Sequence, residues 1–505
     1  MPSALGLGVR TNRNILANYL GQGWAGLMAI AFLPVYIDHL GMEAYGLIGF
    51  FAVMSSLLSV LDLGAMPTVT RETARFAAGE VTVERVRDLL RSLEWICFGV
   101  AAAIAMVIWW VAPHLAQSWV RPHQLPVSVV TDAIAIMALA LALRCCEGVY
   151  RGTLVGLERQ VLYNWLIAAM ATLRYGGAVL VLLVFPSIEA FFLWQVMVSF
   201  LTLTVLMGGA YHCLPSPGRR AGFSPAVLHS VWRFSIGMTV ISGLSMVTLN
   251  LDKLLLSAQL PLEAFGHYAL ASTAASILYM AVVPVTQAVF PRLIGHLGRG
   301  EESALETAYR RASRWVVVIA GPAAFVLAAF SAEIIFVWSG DRHLAEQISP
   351  ILSVLALAAL LNCISHVPFN LQLARGATRL LIITNAALVA VAAVVIPVAG
   401  AAYGVTGAAF AWLGLNLFHA LTIVHVAHDK LTPATRKSWI YRDIAAPMCG
   451  ALVVIALAGQ VRPEYHTEGR LALALFLILL GLGATIASAW LALWPLSGTP
   501  AQPTE

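Results

Sequence analysis

Stretches of about 20 apolar residues without a single Asp, Glu, Lys or Arg recur along the whole chain. A helix rises about 1.5 Å per residue, so each stretch can cross a bilayer core about 30 Å thick. The longest, Leu380–His428, runs for 49 residues and predicts two spans that divide at the turn-forming stretch Pro397–Gly407. Ten other runs qualify: Asn14–Ile37, Ala44–Leu61, Trp95–Val120, Ala190–Gly218, Phe234–Leu251, Ala264–Pro291, Trp315–Ala332, Gln347–Ala374, Ile444–Val461 and Leu471–Thr504. Two weaker spans, near Val127–Arg151 and Gln160–Val184, each contain an internal arginine and bring the expected number to about 14.

The composition excludes a water-soluble protein. Hydrophobic residues make up 60% of the 505 residues and charged residues 11%, whereas soluble proteins average about 45–50% and about 25%. So few charges cannot coat a soluble particle of this size, and the same figures exclude disorder and nucleic-acid binding. Long apolar runs, in place of ten-residue alternations, exclude a transmembrane β-barrel. The sequence therefore predicts an all-α polytopic membrane protein.

The basic residues predict how the chain is oriented. With 14 spans both termini lie on one side, and placing them in the cytoplasm puts 23 Lys and Arg residues inside and four outside. This imbalance is a strong positive-inside signal and supports the number of spans. The loops Arg71–Arg91 and Arg292–Arg314 have the pattern of amphipathic surface helices, which either contact anionic membrane lipids or only satisfy this rule.

Short motifs repeat at one offset and indicate a duplicated chain. They are Leu40–Gly46 and Leu260–Gly266 at an offset of 220, Arg71 with Gly79-Glu80 and Arg292 with Gly300-Glu301 at 221, and Gly156-x-x-Arg159 and Gly376-x-x-Arg379 at 220. The period holds six helices, an even number, so the halves are expected to be parallel repeats about an axis along the membrane normal. We therefore expect a six-helix lobe at 1–215, a second at 216–430, and two additional helices with a short tail at 431–505.

Two such lobes suit transport by alternating access, in which the lobes rock about a shared cavity. The alternative is that duplication only records how the bundle evolved.

The sequence also resembles a known family. The motifs that carry the resemblance are RNILANYLGQGW, IDHLGMEAYG, LDLGAMPTVTRETAR and LNLDKLLLSAQLPLEAFGHYALAS. They are similar to polysaccharide flippases of the O-antigen (Wzx-like) type, in the multidrug/oligosaccharidyl-lipid/polysaccharide (MOP) exporter superfamily.

The resemblance implies movement of a polyprenyl-pyrophosphate-linked oligosaccharide from the inner to the outer leaflet of the bacterial inner membrane. It implies no enzymatic activity and no cofactor. The implied partners are the lipid-linked oligosaccharide, membrane lipids, a polysaccharide polymerase and a chain-length regulator, with no nucleic acid. The residues leave two other functions open: a multidrug or small-molecule antiporter of the same superfamily, and a membrane-embedded polysaccharide polymerase or ligase.

Three basic residues lie inside the predicted spans: Arg144, Arg174 and Lys253. A charge at the bilayer centre costs about 2.5–3.5 kcal/mol on insertion scales, so each should face a partner or a wet cavity. We interpret them as substrate-binding cations for the pyrophosphate, because arginine offers a fork of donors. Arg144 alternatively pairs with Glu147, which lies at i+3. Arg174 has no carboxylate one turn away.

Three acidic residues are candidates for ion coupling: Asp252, Glu147 and Asp62. Alternatively, Lys253 only extends its ammonium group toward the outer membrane surface and pairs there with the adjacent carboxylate of Asp252. Asp62 alternatively has a structural role, as the partner of a cytoplasmic arginine.

Polar residues also line up at helical spacing within three spans. The stripes are Asn14, Asn18 and Gln22; Asn362, His366 and Asn370; and Gln195, Ser199 and Thr202. Each stripe alone fits interhelical hydrogen bonding. Together they favour a hydrophilic path between the lobes, with Asn18, Asn370 and His366 as substrate-binding residues.

The sequence contains no G-x-x-x-x-G-K-[ST] motif, so it offers no P-loop for ATP. Its six cysteines show no zinc-ligand spacing, and no metal site is expected. The predicted outer loops are about a dozen residues or shorter and hold no carboxylate pair for acid–base chemistry, which favours transport over a membrane enzyme.

Overall fold

The computed structural model describes residues 4–59, 64–216, 221–376, 378–428, 433–461 and 469–493, and this part of the chain is almost entirely helical. The helices are α1 (Ala4–Ala31), α2 (Leu33–Leu58), α3 (Ala65–Ala77), α4 (Val83–His114), α5 (Val127–Gly156), α6 (Gln160–Val184), α7 (Ile188–Cys213), α8 (Pro225–Gln259), α9 (Leu262–Ala275), α10 (Ile277–Arg299), α11 (Glu302–Ala329), α12 (Ser331–Ser339), α13 (Arg342–Ala374), α14 (Thr378–His428), α15 (Pro433–Ser438), α16 (Ala446–Gln460) and α17 (Arg470–Leu493). Short π-helical turns continue α4 and precede α16, at Leu115–Val120 and Trp439–Ala445.

The all-α polytopic membrane fold is confirmed. Eleven helical segments of the described chain are long and apolar enough to cross a membrane, and α8 makes a twelfth if its two parts, which meet at 43°, form one broken span. A straight α14 of 51 residues would be about 75 Å long, but its backbone breaks at Gly404, inside the predicted dividing stretch. Counting α14 as two crossings would add one more. Helix α1 is long enough at 28 residues but is not among the segments that are apolar enough, so the number of about 14 stays a prediction.

The predicted span Asn14–Ile37 contains the end of α1 at Ala31 and the start of α2 at Leu33, and Phe32 between them keeps right-handed helical dihedral angles. The non-helical break lies inside α2 at Gly41, between the predicted spans Asn14–Ile37 and Ala44–Leu61. Pro34 lies in the first turn of α2, where its missing N–H costs nothing. The chain then turns at Gly41, whose φ of 83° is a left-handed conformation that glycine adopts without strain.

The chain forms two compact units, Met1–Gly266 and His267–Glu505. The first contains α8, which the sequence repeat assigns to the second lobe. Packing and sequence repetition are different criteria, and the segments 1–215, 216–430 and 431–505 stay a prediction.

A reciprocal contact inside the first unit joins the start of one repeat to the start of the other. A Cβ on Gly46 would lie 2.2 Å from the carbonyl oxygen of Leu262, and a Cβ on Gly266 would lie 2.8 Å from that of Met42. Adding the offset of 220 to Met42 and Gly46 gives Leu262 and Gly266. The contact of Gly46 with Leu262 and the contact of Gly266 with Met42 therefore join equivalent positions of the two repeats in opposite order. A two-fold relation between the repeats requires this reciprocity.

The turns matched at an offset of 221 also share one conformation. Gly79 and Gly300 each follow a helix and have φ values of 79° and 69°. In each turn the next residue, a glutamate, contacts a basic side chain five residues earlier: Arg75 Nε to Glu80 at 2.9 Å and His296 Nδ1 to Glu301 at 2.7 Å. Hydrogen bonds from Arg299 and then His296 lower the pKa of the Glu301 carboxyl to about 2.

In the second unit, α11 anchors the chain that leads into α16. The buried carboxylate of Asp443 lies 2.6 Å from Arg310 Nε and 3.3 Å from Arg314 Nε. Trp439 Nε1 donates to Ser313 Oγ at 2.8 Å. These contacts fix the start of α16 against α11, although α16 and α17 lie outside the sequence repeat.

Candidate functional site

A cavity of about 280 Å³ lies inside the first unit, among helices predicted to cross the membrane. Five helices line it: α1, α2, α5, α6 and α7. The lining residues are Ala25, Ser55, Leu58, Ser59, Leu141, Arg144, Cys145, Glu147, Arg151, Ile167, Met170, Ala171, Arg174, Tyr175 and Thr202. This lining holds three arginines and one carboxylate, which is a net charge of +2, among hydroxyl-bearing and apolar side chains.

Helix α5 supplies three of the four charges because Arg144, Glu147 and Arg151 follow at i, i+3 and i+7 and share one face. Arg151 Nη2 donates to Glu147 Oε2 at 2.5 Å. The Glu147 residue is only 2% exposed, whereas the Arg151 side chain is 37% exposed. A buried carboxylate thus faces an arginine that reaches the cavity mouth.

Helix α6 brings Arg174 to the same carboxylate. Its Nη2 lies 4.0 Å from Glu147 Oε1, and its two terminal nitrogens donate to Ser199 Oγ and Thr202 Oγ1, each at 3.3 Å. The expectation that Arg174 lacks an acidic partner holds only within its own helix. The partner comes from α5, which sequence spacing cannot reveal.

Arg144 does not form the local pair with Glu147 that the sequence left open. It donates to Ser55 Oγ at 3.1 Å and to Gln195 Oε1 at 3.2 Å. Its guanidinium carbon lies 4.6 Å from the centre of the Phe51 ring, a cation–π distance. Among the described residues, Arg144 is therefore held by neutral groups and its charge is not paired with a carboxylate.

The polar stripe of α7 hydrogen-bonds to both buried arginines of the cavity. Gln195 contacts Arg144, while Ser199 and Thr202 contact Arg174. The three stripe residues are at most 2% exposed. The stripe supports the two arginines through interhelical hydrogen bonds.

The stripe of α1 contacts α6 and is not part of the cavity lining. Asn18 Nδ2 donates to Gln160 Oε1 at 2.8 Å, and its Oδ1 accepts from Asn164 Nδ2. These bonds join the first and fifth predicted spans. The side chain of Asn14, at the start of the stripe, lies outside the described part of the chain.

The candidates in the second unit lie on α13. Asn362 Nδ2 donates to Asn416 Oδ1 on α14 at 3.1 Å. The His366 ring packs edge-on against Tyr279 with centroids 6.2 Å apart, and Asn370 is half-buried. That Asn18 and Asn370 face one shared cavity stays a prediction.

The remaining candidates lie on α8 and before α3. Lys253 Nζ is 3.3 Å from Asp252 Oδ1, so the adjacent charges form the pair that the sequence suggested. Asp252 is 1% exposed. Asp62 lies outside the described residues.

Two polar groups of the cavity, Arg151 and Ser55, are not among the site residues that the sequence predicts. The spacing places Arg151 on one face with Arg144 and Glu147, but the basic-residue count assigns it to the cytoplasmic side. Nothing in the sequence marks Ser55 as a partner for a buried arginine on another helix. Among the described residues, no three or more His, Cys, Asp and Glu side chains are grouped to hold a metal.

Residues 40–346, more than half of the chain, match the model of the family described as polysaccharide biosynthesis protein. The chain belongs to this family. The match contains every cavity-lining residue except Ala25. No curated protein sequence matches the chain.

Solved structures with the same fold are membrane transporters. The lipid II flippase MurJ, in an inward closed conformation, aligns with a TM-score of 0.70 and 11% identity over 98% of this chain and 100% of its own. An inward-facing multidrug resistance MATE family transporter of the MOP superfamily aligns with a TM-score of 0.61 and 15% identity over 83% of this chain and 96% of its own. A MOP superfamily transporter from Pyrococcus furiosus aligns with a TM-score of 0.54 and 14% identity over 85% of this chain and 96% of its own. The match over residues 40–346 confirms the resemblance to a polysaccharide family, and the fold is the one these MOP transporters share.

Proposed function

We propose that the protein is a flippase that moves a polyprenyl-pyrophosphate-linked oligosaccharide, such as an O-antigen or another polysaccharide repeat unit, across the bacterial inner membrane by alternating access. The observation that carries the proposal is the charge of the cavity. Its described lining holds Arg144, Arg151 and Arg174 against the single carboxylate of Glu147. A pyrophosphate leaving water needs permanent cations, and arginine supplies them with a fork of donors.

The hydrogen bonding of the arginines also favours an anionic ligand. Arg174 donates to two hydroxyls at the long distance of 3.3 Å. In the part of the chain that the structure describes, the buried Nε of Arg144 has no hydrogen-bond partner. Bonds from a guanidinium to a charged oxygen are roughly twice as strong as bonds between neutral groups. A phosphate oxygen would therefore bind these donors better than the present partners do.

The two alternatives fit this cavity less well. A multidrug antiporter of organic cations would have to bind its substrate against a net charge of +2. A polymerase or ligase needs acid–base groups that meet sugar acceptors outside the lipid, whereas these charges lie among membrane helices. The fold neighbour MurJ is a lipid II flippase, which supports a lipid-linked substrate, and membership of a polysaccharide biosynthesis family supports a glycan.

We further propose that both termini are cytoplasmic. The support is the distribution of basic residues, with 23 on the proposed cytoplasmic side and four outside. The substrate would enter from the cytoplasmic leaflet, where the glycan is built, and leave toward a polymerase and a chain-length regulator. Asp252 and the cavity carboxylate are the candidates for coupling to an ion gradient.

The test uses the purified full-length protein in liposomes with a fluorescent glycan on polyprenyl pyrophosphate. We expect the protein to carry the glycan between leaflets, and to do so more slowly with a neutral glycolipid of the same sugar. Transport of organic cations without glycan movement would instead support the antiporter. Formation of longer glycans by the protein alone would support the enzyme.

A further inference from the structure

The carboxylate of Glu147 occupies the centre of the positive cluster. One oxygen lies 2.5 Å from Arg151 Nη2 and the other 4.0 Å from Arg174 Nη2. Within the described residues, Oε1 has no hydrogen-bond partner although it is buried. The carboxylate is thus held by charge between two arginines, and only one side of it is firmly bonded.

This position is the one that a phosphate of the substrate would need. Carboxylate and phosphate oxygens bind the same guanidinium donors, so a phosphate that bonds to Arg151 Nη2 would replace Glu147 Oε2 there. Two negative groups in a cavity of this size also repel each other. Without Glu147, however, the empty cavity would hold Arg144 and Arg174 inside the membrane with no nearby negative charge among its lining residues, which is unfavourable.

We infer that Glu147 is an internal counter-ion that competes with the pyrophosphate of the substrate. It neutralises part of the cluster when the cavity is empty and is displaced from the arginines when the substrate enters. By weakening substrate binding, it allows release on the far side and return of the empty protein. The inference rests on the proposed function and assigns Glu147 a positioning role within it.

The direct test measures binding of inorganic pyrophosphate to the full-length protein in detergent, at one pH and one salt concentration. We expect Glu147→Gln to bind pyrophosphate at least about tenfold more tightly than the natural protein, because a repelling charge close to the ligand is removed. Glu147→Asp keeps the charge and should bind within about threefold of the natural protein. Arg174→Ala should lose most of the binding.

Glu94 offers a matched control in the same unit. It is a buried carboxylate, 4% exposed, whose oxygens accept from Tyr150 and Tyr211 and pair with Arg91. It does not line the cavity. Glu94→Gln should therefore leave pyrophosphate affinity unchanged, and an equal gain in this variant would overturn the inference.

Transport kinetics separate a counter-ion from a structural role. In the liposome assay, Glu147→Gln should lower both the apparent KM for the lipid-linked glycan and kcat, since tighter binding slows release. Unchanged or weaker pyrophosphate binding by Glu147→Gln, with loss in Arg174→Ala, would overturn the counter-ion and leave the flippase proposal intact. Pyrophosphate binding that does not depend on Arg174 would overturn both.

Discussion

Arg174 Nη2 on α6 and Glu147 Oε1 on α5 approach each other to 4.0 Å in the cavity of the first unit. Helix α6 carries no acidic residue of its own, so the only charge compensation Arg174 receives among the described residues is across the helix interface. The ion pair ties two helices to one cavity and places a positive group where an anionic substrate would pass.

The first prediction concerns Arg174. Replacing it with alanine should abolish glycan export at normal membrane abundance, because the cavity loses a permanent cation that is held by Ser199 and Thr202. Arg174→Lys should retain part of the export, since it keeps the charge and loses the fork. The measurement is surface glycan display in a strain without its own flippase. Full display by Arg174→Ala would remove this residue from the substrate path.

Arg144 should matter about as much as Arg174. The sequence left open a local pair with Glu147 that would share its charge, but among the described residues Arg144 has neutral partners and the Phe51 ring. We expect Arg144→Ala to reduce display by at least about tenfold, as the loss of a charged hydrogen bond to substrate is worth about 1.5–3 kcal/mol. Ser55→Ala, which removes one neutral partner, serves as the mild control. A larger effect from Ser55→Ala than from Arg144→Ala would contradict this ranking.

The close approach at Gly46 predicts a local stability effect. A Cβ there would meet the Leu262 carbonyl at 2.2 Å, a distance that cannot be relieved by a side-chain rotation. Gly46→Ala should cost about 1–3 kcal/mol of stability, the range for overpacking, and lower the melting temperature of the purified protein. Gly23→Ala is the control, since nothing lies within 4 Å of its added Cβ. Equal melting of the two variants would show that the repeats do not pack as described.

Asp443 should be needed to hold the C-terminal helices. Asp443→Asn leaves Arg310 and Arg314 without their buried carboxylate, and breaking a buried ion pair typically costs about 3–5 kcal/mol. We expect protease cleavage near Trp439 to become faster in this variant. Glu306→Gln is the comparison, because Glu306 is one-third exposed and 4.0 Å from Arg310, where a pair is worth about 0–1 kcal/mol.

Membrane sidedness can be checked by labelling single cysteines in intact cells, after the six natural cysteines have been replaced. A cysteine at Glu301 should resist an impermeant reagent, and one at Gln124 should react with it. Both side chains are exposed, so access depends on the side of the membrane. Labelling of position 301 from outside would reverse the proposed orientation.

Four properties follow from the order of residues along the chain: the membrane class, the approximate number of spans, the duplication and the three basic residues inside spans. These properties can be read from the sequence because they depend only on the lengths of apolar runs and on the spacing of residues along the chain. Gly404 broke the long run where turn-forming residues clustered, and Gly79 and Gly300 adopted the same turn at the matched offset.

Which charges meet depends on the packing of the helices. Helical periodicity identifies neighbours at i+3 and i+4 and so suggested Arg144 with Glu147, but two carboxylate oxygens can serve only a few donors. The i+4 spacing within α5 gives Glu147 its pair with Arg151, whereas the packing of α2, α6 and α7 against α5 brings Arg174 to Glu147 and gives Arg144 the partners Ser55 and Gln195. These contacts join different helices, and no spacing along the chain encodes them.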